Sequence, residues 1–303
     1  MQAQNNTKLL GICGREGAGK TTVANFLTDG GDRFIMREID DPVRYIVHIL
    51  FGFPLDGQLD SPNEKDPIWN MTYPEAVGTV INLLHTHVDT SWSTKCMPMG
   101  RRYMAAFSNR DEGSNSSANG TWAEFSFADS LKQIAAIIFD LDFQMLLAQT
   151  PKDRVKRETE KTQEFNKCGA ITGRYALEFL GTDVFRNHFD NDVWIKIARR
   201  EAKSWMDMGG KVVIPDVRFP NEMEFINGEN GTMLLIYRDA RELLLTTADR
   251  ESHPAKWKFL DFCGDAKNLI MFHNVVGEGR LNFVQAWVTT NFKNSLVTKY
   301  VMD

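Results

Sequence analysis

Gly14, Gly17, Gly19, Lys20 and Thr21 are the residues whose types and spacing most plainly point to chemistry. The stretch Gly14-Arg15-Glu16-Gly17-Ala18-Gly19-Lys20-Thr21 satisfies the pattern G-x-x-x-x-G-K-[ST]. An apolar run, Leu9 to Cys13, precedes it, and helical spacing resumes at Val23, Ala24, Phe26 and Leu27. Strand, glycine turn and helix in that order predict a loop whose backbone N–H groups surround phosphate oxygens, helped by the positive end of the helix. In this reading Gly14, Gly17, Ala18, Gly19 and Thr22 shape the cradle and Lys20 reaches the β- and γ-phosphates. The Thr21 hydroxyl would ligate Mg²⁺. The stretch predicts a nucleoside triphosphate site.

Asp216 and Arg218 are the next candidates. The β-branched run Lys211-Val212-Val213-Ile214 carries Asp216 at its C-terminal end, where parallel α/β sheets place their ligands. An acid there can hold Mg²⁺ through water, and Arg218 would point across the same crevice. The plainer reading makes Asp216 a helix cap and Arg218 its salt-bridge partner. Further arginines that could close over a transferring phosphoryl group stand at 154, 157, 174, 186, 238, 241 and 250.

The elements that must position these residues alternate. Phe34 to Ile39 reads as a second strand, followed by Asp40 to Gly52, in which Asp before Pro marks a helix start and apolar residues recur at helical spacing; Pro74 to His87 reads as another helix. Residues 53–70 read as a loop, and Asp111 to Gly120 as a polar, low-complexity surface loop. Phe127-Ala128-Asp129-Ser130-Leu131-Lys132 then opens a helix that echoes the earlier one. Asp41/Asp129 and Arg44/Lys132 would be equivalent if two copies of one strand–turn–helix unit are present; two amphipathic helices with acidic caps are the alternative. Gly173 to Leu180 reads as a helix ending at Gly181, and Asp192 to Met208 as another. Strands at Met233 to Arg238 and Asn268 to Asn274 follow, then a closing helix region from Gly279 to Val297. The alternation predicts an α/β fold with a doubly wound parallel sheet.

Composition narrows the classes. The chain has 303 residues, 43% hydrophobic and 25% charged, with a net charge of −5, so nothing points to nucleic acid or an anionic membrane. Its four cysteines are scattered, without a C-x-x-C pair for metal or redox work. Neither a signal-like core in Met1 to Lys8 nor a run of membrane-spanning length is read, and a cytoplasmic location is the expectation. The absence of an N-K-x-D element argues against a regulatory GTPase.

Four blocks in order carry a resemblance: the phosphate loop; Phe127 to Lys132; Leu180-Gly181-Thr182-Asp183-Val184-Phe185-Arg186 through Lys196; and Val213 to Glu222. Together with Ser252-His253-Pro254 and the last strand with Asn274, the chain resembles the deoxynucleoside monophosphate kinases of bacteriophages and large viruses. The resemblance implies phosphoryl transfer from ATP, with Mg²⁺, to a deoxynucleoside monophosphate on a P-loop nucleoside monophosphate kinase fold with a lid and a monophosphate-binding region. It implies a single kinase domain over 1–303, with 53–121 on the monophosphate side and 239–262 as lid. By position, Lys20, Arg218, Arg186 and Arg241 would be catalytic, and Thr21 and Asp216 would hold the metal. Asp129, Lys132, Asp41, Arg44, Arg174, Asp183, Arg186 and His253 would line the substrate side. A homodimer is expected, as in many small kinases of this fold. Family members often carry Asp after the loop lysine, where this chain has Thr21 and Thr22. A dephospho-coenzyme A kinase and a catalytically silent ATP-binding module are the competing readings.

Overall fold

Leu9–Cys13, strand β1, is apolar and buried at every position, as a central strand with both faces covered must be. The computed structural model describes residues 7–15, 17–28, 34–38, 42–53, 65–66, 68–88, 102–106, 120–139, 141–148, 150–161, 170–238, 259, 262–274 and 280–293. In chain order the further strands are β2 Phe34–Glu38, β3 Lys65–Asp66, β4 Met71–Thr72, β5 Arg102–Ala106, β6 Trp122–Glu124, β7 Lys211–Ile214, β8 Thr232–Tyr237 and β9 Leu269–His273. Five of them form one sheet in the order β6-β7-β1-β8-β9, with every neighbouring pair parallel. The α/β parallel-sheet class expected from the sequence is the class found.

The chain divides into two compact units. One comprises Met1–Asp32, Asp111–Phe127 and Ala198–Asp303, and holds the five-stranded sheet. Leu10 and Ile12 of β1, Val213 of β7, Leu234 and Ile236 of β8 and Phe272 of β9 share one core. Val23, Ala24 and Leu27 of helix Lys20–Thr28, with Val284 and Val288 of helix Arg280–Val288, close over them. Each fully buried aliphatic side chain contributes about 1.5–3 kcal/mol, which fixes β1 and hence the turn that leaves it.

The other unit comprises Arg33–Arg110 and Ala128–Ile197. Helices Pro42–Phe51, Tyr73–His87, Asp129–Phe139, Phe143–Leu147, Pro151–Thr159 and Gly173–Glu178 lie within it. Helix Asp129–Phe139 is buried at nearly every position after its first turn, with Ile134, Ile137, Ile138 and Phe139 all in the core. Among the described residues of the chain, no helix is long and apolar enough to cross a membrane.

Within the 53–70 stretch read as a loop, Lys65–Asp66 forms a short strand paired with β4, and two larger elements also differ from the sequence reading. Phe34–Glu38 is a strand, yet it pairs antiparallel with β5 and takes no place in the parallel sheet. The sheet's second strand in chain order is β6, so the five read 2-3-1-4-5 across the sheet. The helix beginning at Gly173 also does not stop at Gly181. It continues as a π-helix, Phe179–Arg186, because Gly181 serves close approach rather than termination. Its missing side chain makes room for Leu131, whose Cδ2 would lie 2.7 Å from a Cβ, and its carbonyl accepts from Trp194 Nε1 at 3.0 Å. The Gly181→Ala variant is expected to lose about 1–3 kcal/mol through overpacking against Leu131. A thermal melt that matches the unsubstituted protein within about 1 °C would contradict that packing account.

Candidate active site

The turn after β1 adopts backbone angles that residue type dictates. Gly14, Gly17 and Gly19 have φ of 139°, 75° and 106°, values that side chains with a Cβ rarely take. At Gly14 the constraint is doubled, since a Cβ would collide with the carbonyl oxygen of Ile236 in β8. Ala18 N–H donates to Arg15 O at 3.2 Å, and Val23 N–H donates to Gly19 O at 3.0 Å as the helix begins. Lys20 Nζ donates to the carbonyls of Gly14 at 2.7 Å and Arg15 at 2.8 Å, so its charge is kept at the loop. Thr21 is exposed at the start of helix Lys20–Thr28, and Thr22 is half-buried. Four of the seven predicted loop residues thus lie in the turn and the other three, Lys20, Thr21 and Thr22, open the helix that follows it.

Asp216 lies in the same unit, two residues beyond β7, which pairs directly with β1. Its Oδ2 accepts from Ser126 Oγ at 2.6 Å and its Oδ1 from Phe127 N–H at 3.1 Å. It therefore fastens the segment following β6, a role that its place at a strand end did not reveal. The helix cap at this strand end is supplied by Glu222 instead. That residue, 2% exposed, takes the Arg218 backbone N–H at 2.7 Å and that of Phe219 at 3.1 Å, at the start of helix Pro220–Gly228. The Arg218 side chain is exposed.

Two residues at the loop were not singled out for it from sequence, although Arg238 was one of the arginines offered for closing over a phosphoryl group. Asn274, just past β9 and 2% exposed, donates from Nδ2 to Ala18 O at 2.5 Å. Arg238, just past β8, has Nη1 4.0 Å from where a Cβ on Gly17 would stand. Both follow the C-terminal ends of parallel strands, the signal that singled out Asp216, and it could have found them. Burial pushes the Cys13 thiol well above the ordinary range, with Cys263 adding to the effect.

The predicted substrate-side residues that are described belong to the other unit. Asp129 and Lys132 pair with each other at 3.0 Å across one turn, each side chain 17% exposed. Arg44 and Arg186 are half-buried, and Asp183 is exposed. Arg174 is half-exposed and engaged with Glu178 at 2.9 Å and Glu158 at 3.4 Å. Desolvation works against its charge, but the two carboxylates outweigh it and raise its pKa further. Asp41, Arg241 and His253, and nearly all of the stretches 239–262, expected as a lid, and 111–120, expected as a loop, lie outside the described residues.

Comparison with known proteins adds an independent line. Residues 127–251 match the family model described as deoxynucleotide monophosphate kinase. The match includes Asp129, Lys132, Arg174, Asp183, Arg186, Asp216 and Arg218, while the phosphate loop falls outside it. The chain is also 30% identical over 142 residues to a protein of Acanthamoeba polyphaga mimivirus named "Putative deoxynucleotide monophosphate kinase". That alignment covers 44% of this chain and 66% of the mimivirus protein. The resemblance seen in the sequence is therefore shown by comparison: over residues 127–251 the chain matches the deoxynucleotide monophosphate kinase family, which supports a nucleotide kinase role.

Proposed function

We propose that the protein transfers the γ-phosphoryl group of ATP to the 5′-phosphate of a deoxynucleoside monophosphate, giving the diphosphate and ADP. The observation that carries this reading is the turn with Gly14, Gly17 and Gly19 at positive φ after the central strand, present in the same chain as the family match. The incoming phosphate oxygen is already nucleophilic at neutral pH, so no covalent intermediate and no strong general base are needed. Charge spreads over the phosphoryl oxygens as the group moves, and fixed cations supply most of the stabilisation. Lys20 would sit against the β- and γ-phosphates, with Arg218, Arg186 and Arg241 closing over the group and Arg238 standing beside Gly17.

The donor set suits Mg²⁺. Thr21 offers an exposed hydroxyl and Asp216 a carboxylate at the end of a strand beside β1, oxygen ligands of the kind Mg²⁺ takes. An ion of this kind would be held by one carboxylate, the donor phosphates and water. The ion would neutralise charge on the donor phosphates.

On the acceptor side we assign Asp129 and Lys132 ahead of Asp41 and Arg44. Helix Asp129–Phe139 follows β6, a strand of the parallel sheet, and lies in the family match; the Pro42–Phe51 helix follows a strand of the separate ribbon. Arg174, Asp183, Arg186 and His253 would complete that side. The test is ADP production from ATP and Mg²⁺ across dAMP, dCMP, dGMP, dTMP, the ribonucleotides and dephospho-coenzyme A. Turnover on a deoxynucleotide is expected. Turnover confined to dephospho-coenzyme A, or none on any acceptor, would overturn the proposal.

A further inference from the structure

Asn274 stands where the last parallel strand ends, and its side chain reaches a loop that is 256 residues away in sequence. Its backbone N–H donates to Tyr237 O at 2.8 Å, which ties the residue to the end of β8. Its Nδ2 donates to Ala18 O at 2.5 Å, and the same nitrogen lies 2.5 Å from where a Cβ on Gly19 would stand. The contact is buried, so it does not compete with water.

The geometry of one peptide gives this contact a consequence. In a trans peptide the carbonyl of Ala18 and the N–H of Gly19 point in opposite directions. A donor that captures the Ala18 oxygen on the sheet side turns the Gly19 N–H the other way. That is the orientation a phosphate cradle requires, since its anion is bound by converging N–H groups. Lys20, the next residue, is held by the carbonyls of Gly14 and Arg15 in the same turn. Gly19 has φ of 106° and accepts the close approach of the Asn274 amide because it lacks a Cβ.

We propose that Asn274 is a positioning residue that locks the Ala18–Gly19 peptide so that the Gly19 N–H faces a bound nucleotide phosphate. It acts through the loop and does not itself touch the nucleotide. This inference rests on the reading of the loop as a phosphate site. The chemistry it governs is the phosphate-dependent part of nucleotide affinity: the β-phosphate of a nucleoside di- or triphosphate feels it, and the nucleoside does not.

The experiment compares ADP with adenosine, binding each to the full chain, to Asn274→Ala and to Asn274→Asp. For Asn274→Ala, ADP affinity is expected to fall about 10- to 100-fold, the loss of one well-aimed hydrogen bond to a charged group, with adenosine affinity unchanged. Asn274→Asp keeps the shape but sets a carboxylate oxygen against the Ala18 carbonyl, and its loss should be at least as large. It provides the reading if the alanine variant does not fold, with thermal melts reporting folding for both. A generic packing defect would instead lower both affinities together and overturn the inference. Full ADP affinity in either folded variant would overturn it too. If the unsubstituted protein binds ADP no better than adenosine, the phosphate-loop reading itself fails, which separates that failure from this one.

Discussion

Lys20→Ala is expected to lower transfer from ATP by on the order of 10²- to 10³-fold while leaving the protein folded. The magnitude follows from where the charge sits. A fixed ammonium about 4 Å from a phosphate oxygen at a protein surface is worth about 4 kcal/mol, and water that fills its place must reorganise as charge develops. The structural cost is smaller. Lys20 is half-buried, and its bonds to the carbonyls of Gly14 and Arg15 return to solvent when the side chain is removed. About 1 kcal/mol is the expected stability loss. Steady-state rates and a thermal melt on the same preparation check both halves. Near-normal turnover in a folded Lys20→Ala protein would contradict the role given to the loop.

Asp216→Asn should reduce turnover by about 10- to 100-fold and raise the Mg²⁺ concentration needed for half-maximal rate, the usual consequence of altering an outer ligand of a metal. Asparagine is chosen because it separates two roles of one carboxylate. Its oxygen can go on accepting from Phe127 N–H, and its NH₂ can face Ser126, whose hydroxyl is able to turn and accept. The anchoring of residues 126–127 is thereby kept and the charge alone is lost. Excess Mg²⁺ should recover part of the rate. An unchanged Mg²⁺ requirement in the Asp216→Asn protein would make Asp216 a purely structural anchor.

What could be read from sequence divides along a physical line. The loop's backbone was legible because its requirements are local: positive φ at residues 14, 17 and 19 demands glycine. Asp216 was legible because a carboxylate after a β-branched run marks a strand end. Strand partnership was not, because Phe34–Glu38 and Trp122–Glu124 both look like short strands before an acidic helix start. Only non-local pairing sends one to the ribbon and the other to the sheet. Gly181 misled for a related reason. A glycine after an apolar helix reads as a stop, whereas here it admits Leu131 from another helix. Asn274 was noticed only as part of a pattern, since its partner Ala18 stands at the opposite end of the chain.

The measurement that tests the central claim most directly follows the phosphoryl group itself. ATP labelled at the γ-phosphorus would be incubated with the protein, Mg²⁺ and each of the four common deoxynucleoside monophosphates, and the products separated. The account predicts label at the β-position of at least one deoxynucleoside diphosphate, matched by ADP formed, with transfer collapsing in Lys20→Ala. Label appearing only as inorganic phosphate, or remaining on ATP with every acceptor while ATP binds, would contradict it.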